Sequence, residues 1–329
     1  SVTKRRENNM SFLEVLYFIV PSAIFYAAPL ILGAIGGVFS ERSGVVNIGI
    51  EGIMVIGAFV GIVFNLFVAD SLGGLTPWAA LVAAMLIGAM FSLFLAVAAI
   101  SFRADQTVTG VALNLLGVAI ALFSVKMLFD GKGQTDFIQE RFARFDIPLL
   151  SDIPLIGPMF FKDVYGTSVL AIVVTFLAWF VIYKTPFGLR LRSVGEHPMA
   201  ADTMGINVTK MRYVAVMISG ALAGVGGAIY AQTITGDFGH ATINGQGFMA
   251  IAAMIFGKWH PIGAMGAALF FGLAQALSIA GGTIKYVQDI PPVFLTILPY
   301  VLTILALAGF IGKATAPKAS GVPYIKGKR

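Results

Sequence analysis

Apolar runs long enough to cross a lipid bilayer recur along most of this sequence, and they restrict its fold more than any other feature. A helix needs about 20 predominantly apolar residues to cross about 30 Å of hydrocarbon. Of the 329 residues, 58% are hydrophobic and 12% are charged, whereas soluble domains are about 25% charged. The pattern predicts one integral membrane domain of the all-α class, a polytopic bundle of transmembrane helices.

The apolar runs delimit candidate spans along the whole chain: Phe12–Val38, Val45–Val68, Trp78–Ile100, Thr107–Leu128, Val169–Ile182, Tyr213–Ala231, Phe248–Phe256, Ile262–Ala280 and Val293–Phe310. Two of them are unusual, because Phe248–Phe256 is short and Val45–Val68 contains Asn47 and Glu51. Broken or re-entrant segments are tolerated in membranes only where protein or a water-filled path covers their backbone. We therefore expect eight to ten spans, with one broken or re-entrant segment.

Charge predicts the orientation, because cytoplasmic loops carry an excess of Lys and Arg. Residues 184–212 are basic and should form a cytoplasmic loop, as should the basic tail, 313–329. Residues 130–165 balance acidic against basic side chains and should be external. The transmembrane domain then covers 12–312.

The N-terminal residues, 1–11, are also basic and are predicted to be cytoplasmic. The apolar run after them is too long for a signal peptide, so we expect a retained helix. However, three full crossings from a cytoplasmic start would place Arg103 and the basic loop outside. We therefore expect either that one segment before Arg103 fails to cross, Val45–Val68 being the main suspect, or that an extra crossing is hidden there.

Several function classes are excluded by composition. The chain has no cysteine, so thiol catalysis, thiolate metal sites and disulfides are ruled out. Its three histidines are far apart, so no metal-ligand cluster is visible. The net charge is +6, and the basic residues lie mostly at the ends of the apolar runs. This distribution is typical of membrane topology rather than of nucleic-acid binding. The P-loop pattern GxxxxGK[ST] is missing, so ATP must be handled by another chain.

A short helix is predicted inside the basic loop, between Gly188 and Arg212. Pro198 suits a first helical position, with Glu196 or His197 before it, and Gly205 suits a left-handed helix end. The residues from Pro198 to Met204 make about two turns, roughly 10 Å, which is too short to span a membrane. A solvated loop with a chance helical turn is the alternative interpretation.

Small side chains at Ala200 and Ala201 would let this helix lie closely in a groove of another protein. Together with their neighbours they resemble the EAA-type loop by which the permeases of ABC importers dock on their ATPase. The resembling residues are Glu196, Ala200, Ala201 and Gly205. With Pro198, they are the predicted ATPase-coupling residues.

Four further stretches resemble the simple-sugar and nucleoside permeases of the same superfamily: SERSGVVNIGIEG (Ser40–Gly52), TVTGVALNLL (Thr107–Leu116), SGALAGVGGA (Ser219–Ala228) and IFGKWHPIGA (Ile255–Ala264). They cover the chain from about Gly36 to Leu277. The first stretch also resembles the neighbouring family of branched-chain amino-acid permeases.

The resemblance implies a permease subunit like those of type II ABC importers, in the bacterial cytoplasmic (inner) membrane. It implies three protein partners: a second permease, identical or homologous; an ATPase that holds ATP and magnesium; and an extracytoplasmic substrate-binding protein. No cofactor is expected on this chain, and no enzymatic role. Nucleosides are the first candidate substrate, followed by simple sugars and branched-chain amino acids.

Three polar residues within spans are candidates for the translocation path: Asn47, Glu51 and Asn114. A carboxyl group at membrane depth is costly and is a functional hypothesis by default. The alternative is structural: Glu51 would pair with Arg42 or a backbone donor and pin a helix break, and a lone amide such as Asn114 often bonds between helices. Both readings stay open for all three residues.

Two other features have ordinary expectations. Gly220, Gly224 and Ala228 share one helix face, which predicts close packing inside the chain, with a subunit interface as the alternative. Trp259 is expected to be an interfacial anchor, and no catalytic role is expected for His260 beside it.

Competing classes are an ion-coupled secondary transporter and a purely structural membrane subunit. Secondary transporters commonly contain inverted repeats and paired interrupted helices. Here only the early half has a clear polar break, and the cytoplasmic docking element would be left unexplained.

Overall fold

A computed structural model describes residues 12–154, 156–280, 290–291, 293–294, 297–298, 300–301, 304–305 and 315–327. Its α-helices are α1 (Phe12–Arg42), α2 (Ile50–Leu72), α3 (Thr76–Ala96), α4 (Gln106–Leu128), α5 (Ile156–Phe160), α6 (Gly166–Lys184), α7 (Pro186–Glu196), α8 (Pro198–Thr203), α9 (Val208–Tyr230), α10 (Gln246–Phe256) and α11 (Pro261–Ala280). Two short strands, β1 (Arg144–Phe145) and β2 (Val164–Tyr165), pair antiparallel before α6.

Side chains just before several helices fix where they begin. Asp105 accepts a hydrogen bond from the backbone N–H of Val108 and so caps α4, and Asn207 does the same for α9 through Lys210. Capping oxygens satisfy amides that lack partners in the first turn. The sequence therefore marks the start of both helices locally.

Six helical stretches of the described residues are long and apolar enough to cross a membrane: Leu13–Arg42, Ile50–Ser101, Gln106–Leu128, Gly166–Lys184, Val208–Thr235 and Pro261–Ile279. Ile50–Ser101 has 52 residues, about 78 Å if it were straight. It is divided by a 3₁₀ turn at Gly73–Leu75 into α2 and α3. Because 281–314 is described only in part, the predicted total of eight to ten stays a prediction.

Close backbone contacts show that α2 and α3 form an antiparallel hairpin against α9. On α2, Gly57 meets Gly224 of α9, and Gly61 meets Ala228, so α2 runs parallel to α9. On α3, Gly88 meets Gly220 while the earlier residue Ala84 meets Gly224, so α3 runs the opposite way. Both helices therefore lie along α9, which argues against the expectation that Val45–Val68 fails to cross.

The first helix runs from one end of the bundle to the other. Near its start, Tyr17 lines a groove with Asp163, in the predicted external loop. At its end, Arg42 lies against Gly195, in the predicted cytoplasmic loop. Residues 1–11 lie outside the described residues, but α1 begins at the end opposite to 184–212.

This direction of α1 removes the conflict in the predicted topology. If the chain starts at the end of the bundle that carries the 130–165 loop, three crossings bring it to Arg103, at the end that carries 184–212. Arg103 indeed lines a groove there together with Asp202 and Lys210. We call the end of the bundle that carries residues 184–212 the coupling end. With α1 running in this direction, no segment before Arg103 has to fail to cross.

The centre of the bundle is α9, which packs against α1, α2 and α3. Its small residues allow backbones to touch: Gly220 lies against Gly88 and Ser92, and Gly227 lies against the carbonyl of Met54. A side chain at either glycine would overlap its neighbour. The predicted role of this glycine face in packing within the chain is confirmed.

Candidate coupling surface and translocation path

The coupling end carries the short helix expected from the sequence. His197, whose backbone is not helical, separates α7 from α8, which begins at Pro198 and ends at Thr203. Gly205 has a φ of +83°, the left-handed conformation that favours glycine. The predicted start at Pro198 and stop at Gly205 are confirmed.

The two alanines of α8 face opposite ways. Ala201 is 4% exposed and packs in one cluster with Val194 of α7 and Val208 of α9, whereas Ala200 is exposed. The sequence predicted that Ala201 would offer its methyl group to a partner's groove. Because Ala201 is buried within the chain, it cannot do so in this structure. Instead, it holds α8 against the rest of the chain.

The outward side of α8 is mostly apolar, with Thr203 as an exposed polar residue. Met199 and Ala200 are exposed, and Met204, 81% exposed, follows the helix. Glu196 and Pro198 are half-buried beside it. Exposed apolar groups beyond the spans are typical of an interaction site. The face formed by Met199, Ala200 and Met204 is therefore the candidate coupling surface, called the coupling surface below.

The tail braces α7 and α8 from behind. Its residues 315–327, here called the strap, donate hydrogen bonds from Ala319 N to Gly195 O at 2.9 Å and from Gly321 N to Gly44 O at 3.2 Å. Further along, Tyr324 packs on the cluster around Ala201, and Lys326 lies 4.0 Å from Asp202. The strap therefore holds the coupling helix and the end of α1 together.

A buried arginine on α9 connects the strap to the body of the bundle. Arg212 is 1% exposed. Its Nε donates to Ser43 O at 3.1 Å, and its Nη1 donates to Val322 O at 3.0 Å. In the sequence, Arg212 is one of several basic residues in the predicted loop 184–212. Nothing in its local pattern distinguishes it from the solvated Lys210.

The α10–α11 turn is fastened to the end of α1. The indole Nε1 of Trp259 donates to Glu41, and Arg42 Nε donates to the carbonyl of Trp259 at 2.9 Å. Trp259 is 7% exposed. The expectation of an ordinary interfacial anchor is therefore wrong, since this tryptophan is a buried link between α1 and the turn.

The three polar residues proposed for the path are buried and engaged in hydrogen bonds. The Glu51 carboxylate accepts the N–H of Gly245 at 2.8 Å and of Gly247 at 2.6 Å, at the start of α10. Asn114 accepts from Gly52 N at 2.7 Å and donates to Ile48 O at 3.0 Å.

Asn47 belongs to the same set, because its amide Nδ2 donates to the Ser219 hydroxyl at 2.9 Å. All three residues are at most 9% exposed. They hold the irregular segment before α2 and the start of α10 in place. This arrangement favours the structural alternative over an open polar path.

Comparisons with known proteins agree with this architecture. The family model described as the branched-chain amino acid transport system / permease component matches residues 19–307. Over 320 residues the chain is 64% identical to the guanosine ABC transporter permease protein NupQ of Bacillus subtilis (strain 168), covering 97% of this chain and 100% of that protein.

Two further relatives are similar over most of their length. The nucleoside ABC transporter permease protein NupC of Lactococcus lactis subsp. cremoris (strain MG1363) is 53% identical over 319 residues, 97% of this chain and 100% of that protein. The guanosine ABC transporter permease protein NupP of Bacillus subtilis (strain 168) is 27% identical over 318 residues, 93% of this chain and 86% of that protein.

Proposed function

The chain belongs to the family of the branched-chain amino acid transport system permease component, and from this premise we propose that it imports nucleosides as the membrane subunit of an ABC transporter. It is a multi-pass protein of the bacterial inner membrane and a transport subunit, not an enzyme. The observation that carries the substrate class is the identity, 64% and 53%, to permeases named for guanosine and nucleosides along almost the whole chain.

We propose that the ATPase docks on the coupling surface. ATP and magnesium would be bound by that partner, and this chain would receive its movement through α8. The geometry supports the transmission of force, because α8 is packed on α7 and α9 through Ala201. The strap contacts α8 through Tyr324 and Lys326 and bonds to Gly44, just after α1. A push on the outward face would therefore act on several spans together.

We propose that a second, homologous permease completes the path. Permease relatives of the same organism differ in their identity to this chain: one is 64% and the other 27% identical, and both are named for guanosine. A heterodimer of two such permeases fits that pair better than two identical copies. An extracytoplasmic binding protein would deliver the nucleoside at the opposite end of the bundle.

Uptake in a strain that lacks this gene tests the proposed function. Labelled guanosine, uridine, ribose and leucine are supplied singly, and the gene is restored on a plasmid. We expect restored uptake of nucleosides and unchanged uptake of ribose and leucine. Restoration of ribose or leucine uptake without nucleoside uptake would contradict the proposed substrate class.

A further inference from the structure

The segment between α9 and α10 enters the bundle as irregular chain. At the end of the bundle that carries the 130–165 loop, this segment is bonded to the loop. Ile138 N donates to Gly236 O, and Thr135 N donates to Phe238 O, both at 2.9 Å. From there the chain continues without a helix to Gly245, which has a φ of +82° and precedes α10. The Glu51 carboxylate holds this helix start.

Three neighbouring helices place the start of α10 at the middle of the bundle. The contacts of α2 with α9, Gly57 with Gly224 and Gly227 with Met54, put Glu51 level with the part of α9 from Ile218 to Gly224. This part lies ten to sixteen residues into α9, about 15–24 Å from its coupling end. Gln246 accepts a hydrogen bond from Gln275 at 3.3 Å. Gln275 lies fourteen residues into α11, about 21 Å from the coupling end.

The register against α1 gives the same depth. Ala250 touches Gly33, nine residues before the end of α1 at Arg42, or about 14 Å. The start of α10 is one turn farther from that end, so it lies about 20 Å away. Because the hydrocarbon layer is about 30 Å thick, α10 begins near its middle.

Two residues close together in the sequence at this depth are exposed, Asn244 and Phe248. Phe248 is 50% exposed. Asn244 comes directly before the irregular turn at Gly245, so a side-chain amide and a helix break share one surface. Irregular backbone at membrane depth is tolerated only where protein or a water-filled cavity covers it, and a lone amide facing hydrocarbon is likewise unfavourable. This surface therefore does not face lipid.

We propose that Asn244 and Phe248 line the translocation path and contact the base of a nucleoside in transit, an assignment that rests on the proposed function. The chemistry fits a flat, hydrogen-bonding ligand, because an amide both donates to and accepts from a base edge and an aromatic ring stacks on its face. Glu51 is buried and supports this surface, because its carboxylate caps the start of α10. The proposed path residues are thus exposed neighbours of the α10 start that Glu51 holds, and not the buried residues predicted from the sequence.

The absence of cysteine from the chain makes single-cysteine labelling a direct test. Asn244→Cys and Phe248→Cys are made in the assembled transporter and treated with a membrane-impermeant, water-soluble thiosulfonate. Leu115→Cys is a depth-matched control, because Leu115 is 69% exposed and follows Asn114, which bonds at the level of Gly52. Val173→Cys, on α6, is a second exposed control.

We expect modification of both path variants about tenfold or more faster than that of the two controls, because a thiolate forms readily only in water. Excess guanosine should slow the modification of the path variants and leave the controls unchanged. Modification of Asn244→Cys no faster than that of Leu115→Cys overturns the path assignment. Rapid modification without protection by a nucleoside that the same membranes import overturns the base contact.

The outcome also separates this proposal from the proposed function. Rapid modification of both path variants in membranes that import no nucleoside would support the path and sink the proposed substrate. Slow modification in membranes that import nucleosides would be consistent with the proposed substrate class and would contradict the path assignment. Each variant is first checked for normal accumulation in the membrane.

Discussion

Ala201 packs against Val194 with 4% of its surface exposed, and this contact decides which side of α8 can meet a partner. The neighbouring residue, Ala200, then faces outward. The element is therefore a helix with one face fixed by its own chain and one face free. A mutation on each face should have a different consequence.

On the inner face, Ala201→Trp should destabilise the protein. Overpacking a filled contact costs about 1–3 kcal/mol, and here it would separate α8 from α7 and α9. We expect a lower melting temperature in detergent, measured by the loss of the monodisperse peak after heating. Ala200→Trp is the matched control and should melt like the wild type, because exposed substitutions change stability by about 0.5 kcal/mol or less. Equal melting temperatures for the two variants would contradict the assigned faces.

Arg212→Met should release the strap. Methionine keeps an unbranched apolar chain but removes the donors to Ser43 O and Val322 O, and an unsatisfied buried acceptor costs about 1–3 kcal/mol. We expect faster tryptic cleavage after Lys318 and Lys326, followed by mass spectrometry of the released peptides. Lys210→Met, two residues earlier and exposed, should leave the cleavage rate unchanged. Identical rates in both variants would show that Arg212 does not hold the strap.

Glu51→Gln should reduce stability and uptake together. Both carboxylate oxygens accept backbone N–H groups, and the amide of glutamine can replace only one of them. The loss of one buried bond costs about 1–3 kcal/mol. Thermal stability and labelled uptake are measured on the same membranes, with Asp70→Asn on the same helix as a control. A stable Glu51→Gln protein with no uptake would instead indicate a direct role in the path.

A reporter inserted at Gly74 should lie on the same side of the membrane as one at Asp136, and opposite to one at Lys318. Gly74 is in the exposed turn between α2 and α3, so its location shows whether α2 crosses. The side of each reporter is read from a pair of fusions, one active only outside and one active only in the cytoplasm. A cytoplasmic reporter at Gly74 would restore the suspicion that α2 fails to cross.

Local patterns in the sequence were enough to predict most helices and the short helix of the coupling element. Apolar runs locate the spans because lipid leaves few alternatives for the backbone. Pro198 and Gly205 mark the ends of α8 because each restricts the backbone where it stands.

Features that depend on distant contacts were not predictable in this way. A helix as short as α8 has too few turns to show which alanine is inside. The bonds of Glu51 to Gly245 and Gly247 cross more than 190 residues of sequence, so its structural role is invisible locally. The basic residues before α1 resemble a cytoplasmic anchor, whereas the other end of that helix lies at the coupling end.

The most direct test of the account is whether the ATPase stays bound when the outward face of α8 is blocked. In Ala200→Trp, a bulky ring occupies the coupling surface, and overpacking by about 1–3 kcal/mol weakens docking by about tenfold. Ala143→Trp is the control, because Ala143 is exposed at the opposite end of the bundle. The account predicts that Ala200→Trp accumulates normally but loses ATPase co-purification and nucleoside uptake, while Ala143→Trp retains its ATPase. Normal co-purification and uptake with Ala200→Trp would contradict the assignment of this face as the coupling surface.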